Sequence, residues 1–540
     1  MEIRKLLVAN RGEIAVRVFR TARELGIATV AVAAPDDRDT LHVRTADQTV
    51  EIRSYLDSEE HIRAAKETGA DAIHPGYGFL SENPDFAEAI EAAGLIFVGP
   101  SAEALRAGGN KLEAKQMARR AGVPVVREGS PEELGYPLVI KAAAGGGGRG
   151  MRIVREPTEL DGGLEAARRE AKAAFGDDTL FCEHYVERPR HVEIQLLADG
   201  QGNVVALGER ECSIQRRHQK VLEESPSPAL DPDLRAGMSE AAVAFAQAIG
   251  YRSAGTAEFM LDGRDFWFLE LNGRIQVEHP VTELVTGVDL VREQLRIAAG
   301  EPLAVGEPKL DGHAVEVRLY AEDPRSFLPQ AGRIERLSLP RTIRVDAGVE
   351  EGDEVGVAYD PMIAKLIAHG PTRDEAFLRL QDALADTDVG GLTTNLPFLR
   401  WLVRHPAVRA GRTNTAFLEE NPPLSAPPAR LPSGPWDGAW RLNLSPPPPH
   451  APPDVDNAAH AERPGAAAEQ STLTAPMPGT VIQVLATPGD RVKVRQTLLV
   501  LEAMKMETPI VSPYAAVVRK VHVAEGDRVA GGAVLVELEE

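Results

Sequence analysis

Cysteine is nearly absent: Cys182 and Cys212 are the only two in 540 residues. Two thiols are too few for a disulfide framework and lack the spacing of a zinc site, so a reducing cytoplasm fits the chain. Long apolar runs are missing as well. The N-terminal run Leu6 to Ala9 is too short for a signal peptide and is followed by Arg11, Glu13 and Arg17. No segment has the length to span a bilayer. Positive charge is in deficit, with a formal net charge of -21 and a pI near 5.2. That balance argues against a surface that tracks nucleic acid or anionic lipid, which needs clustered Lys and Arg, while leaving local basic sites for small anions open.

Two nucleotide signatures are lacking. Lys5 to Ala9, Glu13 to Leu25 and Thr29 to Ala33 read as strand, helix and strand, the opening of a parallel sheet. The first loop, Asn10-Arg11-Gly12, has no G-x-G-x-x-G spacing, which makes a nicotinamide cofactor a poor fit. Farther on, Lys141 closes a strand and is followed by Gly145, Gly146, Gly147 and Gly148, without the Gly-Lys-Ser/Thr of a P-loop. Consecutive glycines let backbone N–H groups close over phosphates, and Lys141 adds a fixed charge. A plain surface loop explains the glycines about equally well.

What is present is enough chain for about three or four compact units. Ala72 to Phe79 ends a strand in a glycine-punctuated turn carrying His74 and Tyr77, where side chains can line a crevice. Glu258 and Glu270 close two strands, and Asn272 follows the second by two residues. Paired strand-end carboxylates with an amide on the same face supply hard oxygen ligands suited to Mg²⁺ on nucleotide phosphates. Each acid alone reads as a solvated strand end.

Near the C terminus, Pro476 to Glu502 and Pro513 to Glu539 repeat a pattern at an offset of about 37 residues, including Gly489-Asp490-Arg491-Val492 and Gly526-Asp527-Arg528-Val529. The repeat predicts a small pseudo-symmetric β-sandwich. Between its halves, Leu498 to Leu501 and Thr508 to Val511 read as a hairpin with Lys505 at the tip of Glu502-Ala503-Met504-Lys505-Met506. Together with Ala475-Pro476-Met477-Pro478-Gly479 this tail resembles biotinyl carrier domains; the related lipoyl domains usually carry Asp-Lys-Ala at that turn. The resemblance implies that a biotin protein ligase joins biotin to Lys505.

The remainder resembles biotin carboxylase, an ATP-grasp ligase, over roughly residues 1 to 420. The resemblance rests on Asn10 to Ala15, His74 to Asn83, the glycine loop, Pro189 to Gln195, Cys212 to Lys220 and Asn272 to Pro280. It implies an α/β and α+β multidomain fold: a Rossmann-like pre-ATP-grasp domain at 1–110, an ATP-grasp domain with lid at 111–305, a C-terminal carboxylase domain at 306–420 and an all-β biotinyl sandwich at 471–540. Residues 421–470 are a Pro/Ala-rich linker, interrupted by Trp436 and Trp440-Arg441-Leu442, which resemble a fragment of a subunit-docking domain. About 30 proline-rich residues reach about 90 Å when extended, which suits a swinging carrier.

By position, the family match implies roles as follows. Lys111, Lys141, the loop glycines, Glu183, Val186, His191, Gln195, Gln215 and His218 match ATP-binding positions, and Glu258, Glu270 and Asn272 match those holding Mg²⁺, with Mn²⁺ as the alternative. Lys220, Arg274, Gln276 and the backbone of Val277 match bicarbonate-binding positions, and Glu278 matches the base that deprotonates bicarbonate before its attack on the γ-phosphoryl group to give carboxyphosphate. Arg318 matches the arginine that stabilises the biotin enolate, and Tyr77 and Asp360 line the biotin pocket. Cys212 reads as packing near the site. Departures from the family pattern are a shortened segment before Gly135, His184 for a usual lysine, Ala144 for a loop glycine and Gly273 where a larger residue is common.

The expectation is the biotin-bearing α-subunit of an acyl-CoA carboxylase, working with a separate carboxyltransferase β subunit in an oligomeric holoenzyme. The alternatives are a pyruvate carboxylase-type subunit and a carrier whose ligase half no longer works. The acceptor is chosen by the other subunit.

Overall fold

The computed structural model describes residues 2–143, 151–175, 177–216, 219–306, 308–356, 358–423, 472–476, 479–503, 506–529 and 532–539. The expected lid glycines 145–148, His218, the linker from 424 onward and Lys505 therefore lie outside the described residues.

The chain opens with a parallel sheet of five strands, in spatial order Gln48–Glu51, Ala28–Ala33, Lys5–Val8, Ala72–His74 and Ile96–Phe97. Leu6, Leu7 and Val8 are fully buried, as near-continuous apolar runs must be in a sheet covered on both faces. The helix Gly12–Glu24 lays Ile14, Val18 and Phe19 on one face of this core. Strands Lys5–Val8 and Ala72–His74 are neighbours, so the loops that follow them meet at the carboxyl edge, where doubly wound sheets open a crevice.

The next sheet has eight strands, all joined antiparallel. Their order is Asp265–Asn272, Ser253–Asp262, Arg190–Ala198, Val204–Arg216, Gln219–Ser225, His313–Tyr320, Met362–Gly370 and Arg344–Ala347. The ladder runs from the expected ATP-grasp region into the C-terminal carboxylase region through the pairing of Leu222 with Val317. One continuous sheet thus carries residues from both. Beneath it lie two separate apolar cores, one around Phe245, Phe259 and Phe268 and one around Leu366, Phe377 and Phe398. A third small core, with Leu138, Ile140, Val154 and Ala167, sits in a three-stranded sheet of Arg152–Val154, Leu138–Ala142 and Leu180–His184.

The C-terminal part is two four-stranded antiparallel sheets around Val481, Leu499, Leu501, Val518 and Leu535. The repeat is visible as geometry. Gly479–Val484 and Thr497–Ala503 lie in one sheet and send Arg491–Val492 into the other, whereas Ala516–Val521 and Val534–Glu539 lie in the second and send Arg528–Val529 into the first. Each half completes the sheet of its twin, so the expected pseudo-symmetry holds. The hairpin strands pair through Ala503 and Met506.

Candidate active site

The crevice of the first sheet is fixed by Asn10. Its amide donates to the carbonyls of Pro75 at 2.8 Å and Tyr77 at 2.7 Å, tying the two loops together. Gly76, at φ +62°, is required there, because a Cβ would lie 2.7 Å from the Asn10 amide nitrogen. The Gly76 N–H donates to His74 Nδ1 at 3.0 Å, which makes that nitrogen an acceptor, and Nε2 lies 3.2 Å from the Gln294 side-chain oxygen. Complete burial pushes His74 down to about 4, so its role is that of a neutral hinge pin.

On the eight-stranded sheet, register does the assembly. His191, Glu193 and Gln195 face Met260, Glu258 and Thr256 across one ladder, and Glu258 and Thr256 face Glu270 and Asn272 across the next. Direct partners share a face, so these polar groups converge on one patch. Lys220 Nζ reaches Glu193, Glu258 at 2.8 Å and Glu278 at 2.6 Å. The other oxygen of Glu278 accepts from Arg318 at 2.9 Å, whose Nε donates to Glu223 at 2.7 Å. Burial raises the Glu278 carboxyl, but Lys220, Arg318 and Arg210 outweigh it and hold the group well below the usual carboxylate range. Glu278 is therefore ionised and clamped between two cations.

Glu258 and Glu270 behave differently from each other. Glu258 accepts from Lys220, from Asn272 at 2.9 Å and from Gln276 at 3.0 Å, and His191 Nε2 lies 3.1 Å from its second oxygen. Glu270 has no side-chain partner among the described residues, and burial followed by the charge of Glu258 raises it. A half-buried carboxylate beside a second one, with an amide oxygen from Asn272 close by, fits a divalent cation. His191, Glu193 and Glu258 also offer ligand atoms within 4.8 Å of one another. Glu193, however, is committed to Arg210 and Lys220.

At the nucleotide end, Lys141 Nζ lies 2.5 Å from Glu183, and Lys115 contacts the other oxygen of the same carboxylate. Burial, with Lys115 and Lys111 adding repulsion, pushes Lys141 down to about 7. Burial likewise takes Lys115 to about 8. Lys115 also lies 3.4 Å from Glu128, so Glu183 and Glu128 together hold the two lysines at the end of the site where phosphate charge would arrive.

Two residues expected as ligand contacts are also bonded within the protein. Gln195 is fully buried, donates to the carbonyls of Leu196 and Gly255 and accepts from Arg210 at 2.7 Å. Gln276 spends its amide on Glu258 and its oxygen on Arg210, so it shapes the loop from within. Both are organised by Arg210, fully buried and also bonded to Glu193, Thr256 and Thr282. The sequence reading missed Arg210, Glu193, Glu223 and Lys115; the alternation of polar residues in Arg190–Ala198 was the available signal for Glu193. Arg274 is held by Glu82 at 3.0 Å and by the Asn272 oxygen at 2.9 Å. Gly273 leaves room for Leu105, which a Cβ would meet at 2.8 Å, and this accounts for the small residue there. Cys212 is fully buried with its thiol raised by burial and by Glu193, consistent with packing. Gln215 turns back on the Cys212 carbonyl, Val186 is buried, and Asp360, raised by burial, accepts from the Met362 N–H at 3.0 Å.

Three family models cover this part of the chain: "Biotin carboxylase, N-terminal domain" at 2–105, "Carbamoyl-phosphate synthase L chain, ATP binding domain" at 110–305 and "Biotin carboxylase C-terminal domain" at 316–420. The biotin carboxylase of Haemophilus influenzae is 48% identical over 441 residues, spanning 77% of this chain and 98% of that protein. The chain belongs to the biotin carboxylase family. A fourth model, "Biotin-requiring enzyme", matches residues 471–538, so a biotin carboxylase is joined here to a biotinyl-type domain. The propionyl-CoA carboxylase alpha chain of Ruegeria pomeroyi is 48% identical over 472 residues, which is 79% of this chain and 69% of that one. Among solved structures, the biotin carboxylase domain of Hydrogenobacter thermophilus 2-oxoglutarate carboxylase superposes with a TM-score of 0.76 at 44% identity, covering 78% of this chain and 98% of that domain. That structure is a dimer in complex with MgADP, ADP and bicarbonate.

Proposed function

We propose that this chain carboxylates a biotin borne on its own Lys505, using ATP and bicarbonate, for a separate carboxyltransferase subunit that passes the carboxyl group to an acyl-CoA. The observation that carries the reading is the clamp on Glu278, one oxygen on Lys220 and the other on Arg318, together with the Glu270 carboxylate, which has no side-chain partner among the described residues.

Glu258, Glu270 and Asn272 would hold a divalent cation, which supplies charge neutralisation between nucleotide phosphate oxygens. Lys111, Lys115 and Lys141 provide the fixed charge that receives the polyphosphate. Arg274 and the Val277 N–H, which donates to no group among the described residues, are the donors we assign to bicarbonate. Glu278 is the base. While both cations hold it, it is a weak one; an anion that draws Lys220 toward itself removes part of that stabilisation and raises the carboxyl toward a value that accepts a proton. Arg318, fixed by Glu223, is the guanidinium we assign to negative charge on the group carried to the site.

The acceptor is the part of the reading furthest from these residues. A propionyl-CoA carboxylase subunit and a 2-oxoglutarate carboxylase share this carboxylase part at comparable identity, so acceptor choice lies in the partner. We assign the chain to a cytoplasmic holoenzyme loaded by a biotin protein ligase; no described helix is long and apolar enough to cross a membrane. The test is ADP release as a function of bicarbonate, together with pull-down on the biotin and carboxylation assays with acetyl-, propionyl- and methylcrotonyl-CoA. ADP release indifferent to bicarbonate would refute the ligase reading.

A further inference from the structure

Lys365 is fully buried in the middle of the strand Met362–Gly370, and its two cross-strand neighbours are Arg318 on one side and Asp346 on the other. Its ammonium donates to the carbonyl of Val277 at 2.8 Å and lies 3.3 Å from Glu13 Oε1. The same carboxylate oxygen of Glu13 accepts from the Tyr77 hydroxyl. A continuous path therefore runs from Tyr77 through Glu13 and Lys365 to Val277. It joins three segments far apart in the chain: the turn after Ala72–His74, the start of the helix Gly12–Glu24 and the loop between Asn272 and His279.

A buried lysine is costly unless its charge is matched and its donors are used. Here Glu13 matches the charge, and a backbone carbonyl of the site loop takes a donor. The placement is tightly enforced, since a Cβ at Gly348 would lie 2.6 Å from the Glu13 nitrogen, so the C-terminal carboxylase region presses directly on the helix start. The neighbouring Gln276 carbonyl of the loop is taken by the N–H of His279 at 3.2 Å. Lys365 is thus the side chain that fixes the Val277–Glu278 peptide, flanked by the N–H assigned to bicarbonate and the carboxylate assigned as base.

We propose that Lys365 is a positioning residue for bicarbonate: it holds the Val277–Glu278 peptide in the binding geometry and, through Glu13, ties that geometry to Tyr77. This rests on the reading of Arg274 to Glu278 as the bicarbonate site. A buried ion pair of purely structural worth would lower stability and weaken every substrate alike. A positioning role separates the substrates.

The test is steady-state ADP formation by the full chain with bicarbonate and ATP varied in turn, in wild type, Lys365→Met, Lys365→Arg and the double variant Glu13→Gln with Lys365→Met. The double variant removes the carboxylate of Glu13 together with the ammonium it pairs with, so it stays informative where the single change fails to fold. The expected result is a bicarbonate KM raised at least tenfold in the folded methionine variants, an ATP KM within twofold of wild type, and partial recovery in Lys365→Arg, which keeps a donor. A folded double variant with the wild-type bicarbonate KM, or with both KM values raised by one factor, overturns the proposal. Wild-type ADP formation that ignores bicarbonate is a separate outcome: it refutes the parent reading of the site and this inference with it.

Discussion

Glu258 and Glu270 lie directly opposite each other on adjacent antiparallel strands, and among the described residues only Glu258 is held by side-chain donors. Like charges in that relation destabilise a sheet by up to about 1 kcal/mol. Glu270→Gln is therefore expected to leave the ligand-free protein as stable as wild type or slightly more so. The same change is expected to abolish the rise in thermal midpoint caused by Mg²⁺ and ATP and to lower ADP formation by roughly 100-fold, in the range of lost electrostatic stabilisation. Thermal unfolding with and without Mg-ATP reads both signs.

Glu278→Gln removes the assigned base but keeps an oxygen for Lys220 or Arg318. Bicarbonate-dependent ADP formation is expected to fall by about 10²–10⁴, the usual worth of a positioned acid or base. The ATP KM is expected to stay within about threefold, because the nucleotide lysines lie on other elements, the helix Lys111–Arg120 and the strand Leu138–Ala142. Initial-rate kinetics at varied ATP checks the separation.

Lys115 shares Glu183 with Lys141, an arrangement absent from the sequence reading. Lys115→Met gives Glu183 wholly to Lys141 and removes one source of positive potential. A hydrogen bond involving a charged group is worth about 1.5–3 kcal/mol, so the ATP KM is expected to rise about tenfold. The bicarbonate KM is expected to stay unchanged, the reverse of the pattern expected for Lys365→Met.

His74 carries a pH dependence whose sign is fixed by its burial. Burial holds the ring at about 4 in the folded chain against about 6.5 when unfolded, so between those values the unfolded chain binds the extra proton. Stability is complete above about pH 6.5 and falls as pH drops toward 4, by on the order of 3 kcal/mol from this group. His74→Asn, with an oxygen able to accept from the Gly76 N–H, is expected to flatten the fall between pH 6.5 and 4 in thermal midpoint measurements. An equal fall in variant and wild type would contradict the assignment.

The parts of this protein legible in sequence were those encoded locally. The strand, helix and strand from Lys5 to Ala33 and the duplicated C-terminal sandwich follow from periodicity and repetition, and the structure has both, whereas Glu258, expected to close a strand, lies inside Ser253–Asp262, and Glu270 lies within Asp265–Asn272. What stayed hidden is encoded by register between distant strands. Glu193 reads as one polar residue in an alternating strand until the ladder sets it against Glu258. Arg210 and Lys365 read as charged residues within strands, and their worth lies in partners distant in sequence, such as Thr282 for Arg210 and Glu13 for Lys365. Gln195 and Gln276, marked as ligand contacts by family position, both accept from Arg210, a shared partner that spacing does not reveal.

The central claim is that residues of the carboxylase part charge a biotin on Lys505 of the same polypeptide. The direct measurement is acid-labile ¹⁴C on the biotinylated full chain after incubation with labelled bicarbonate, in wild type, Glu278→Gln and Lys505→Arg. The account predicts label that requires both ATP and Mg²⁺ in wild type, falls to background in Lys505→Arg and forms at least 100-fold more slowly in Glu278→Gln, as expected for loss of a base. Label that persists in Lys505→Arg, or that forms without ATP, would contradict it.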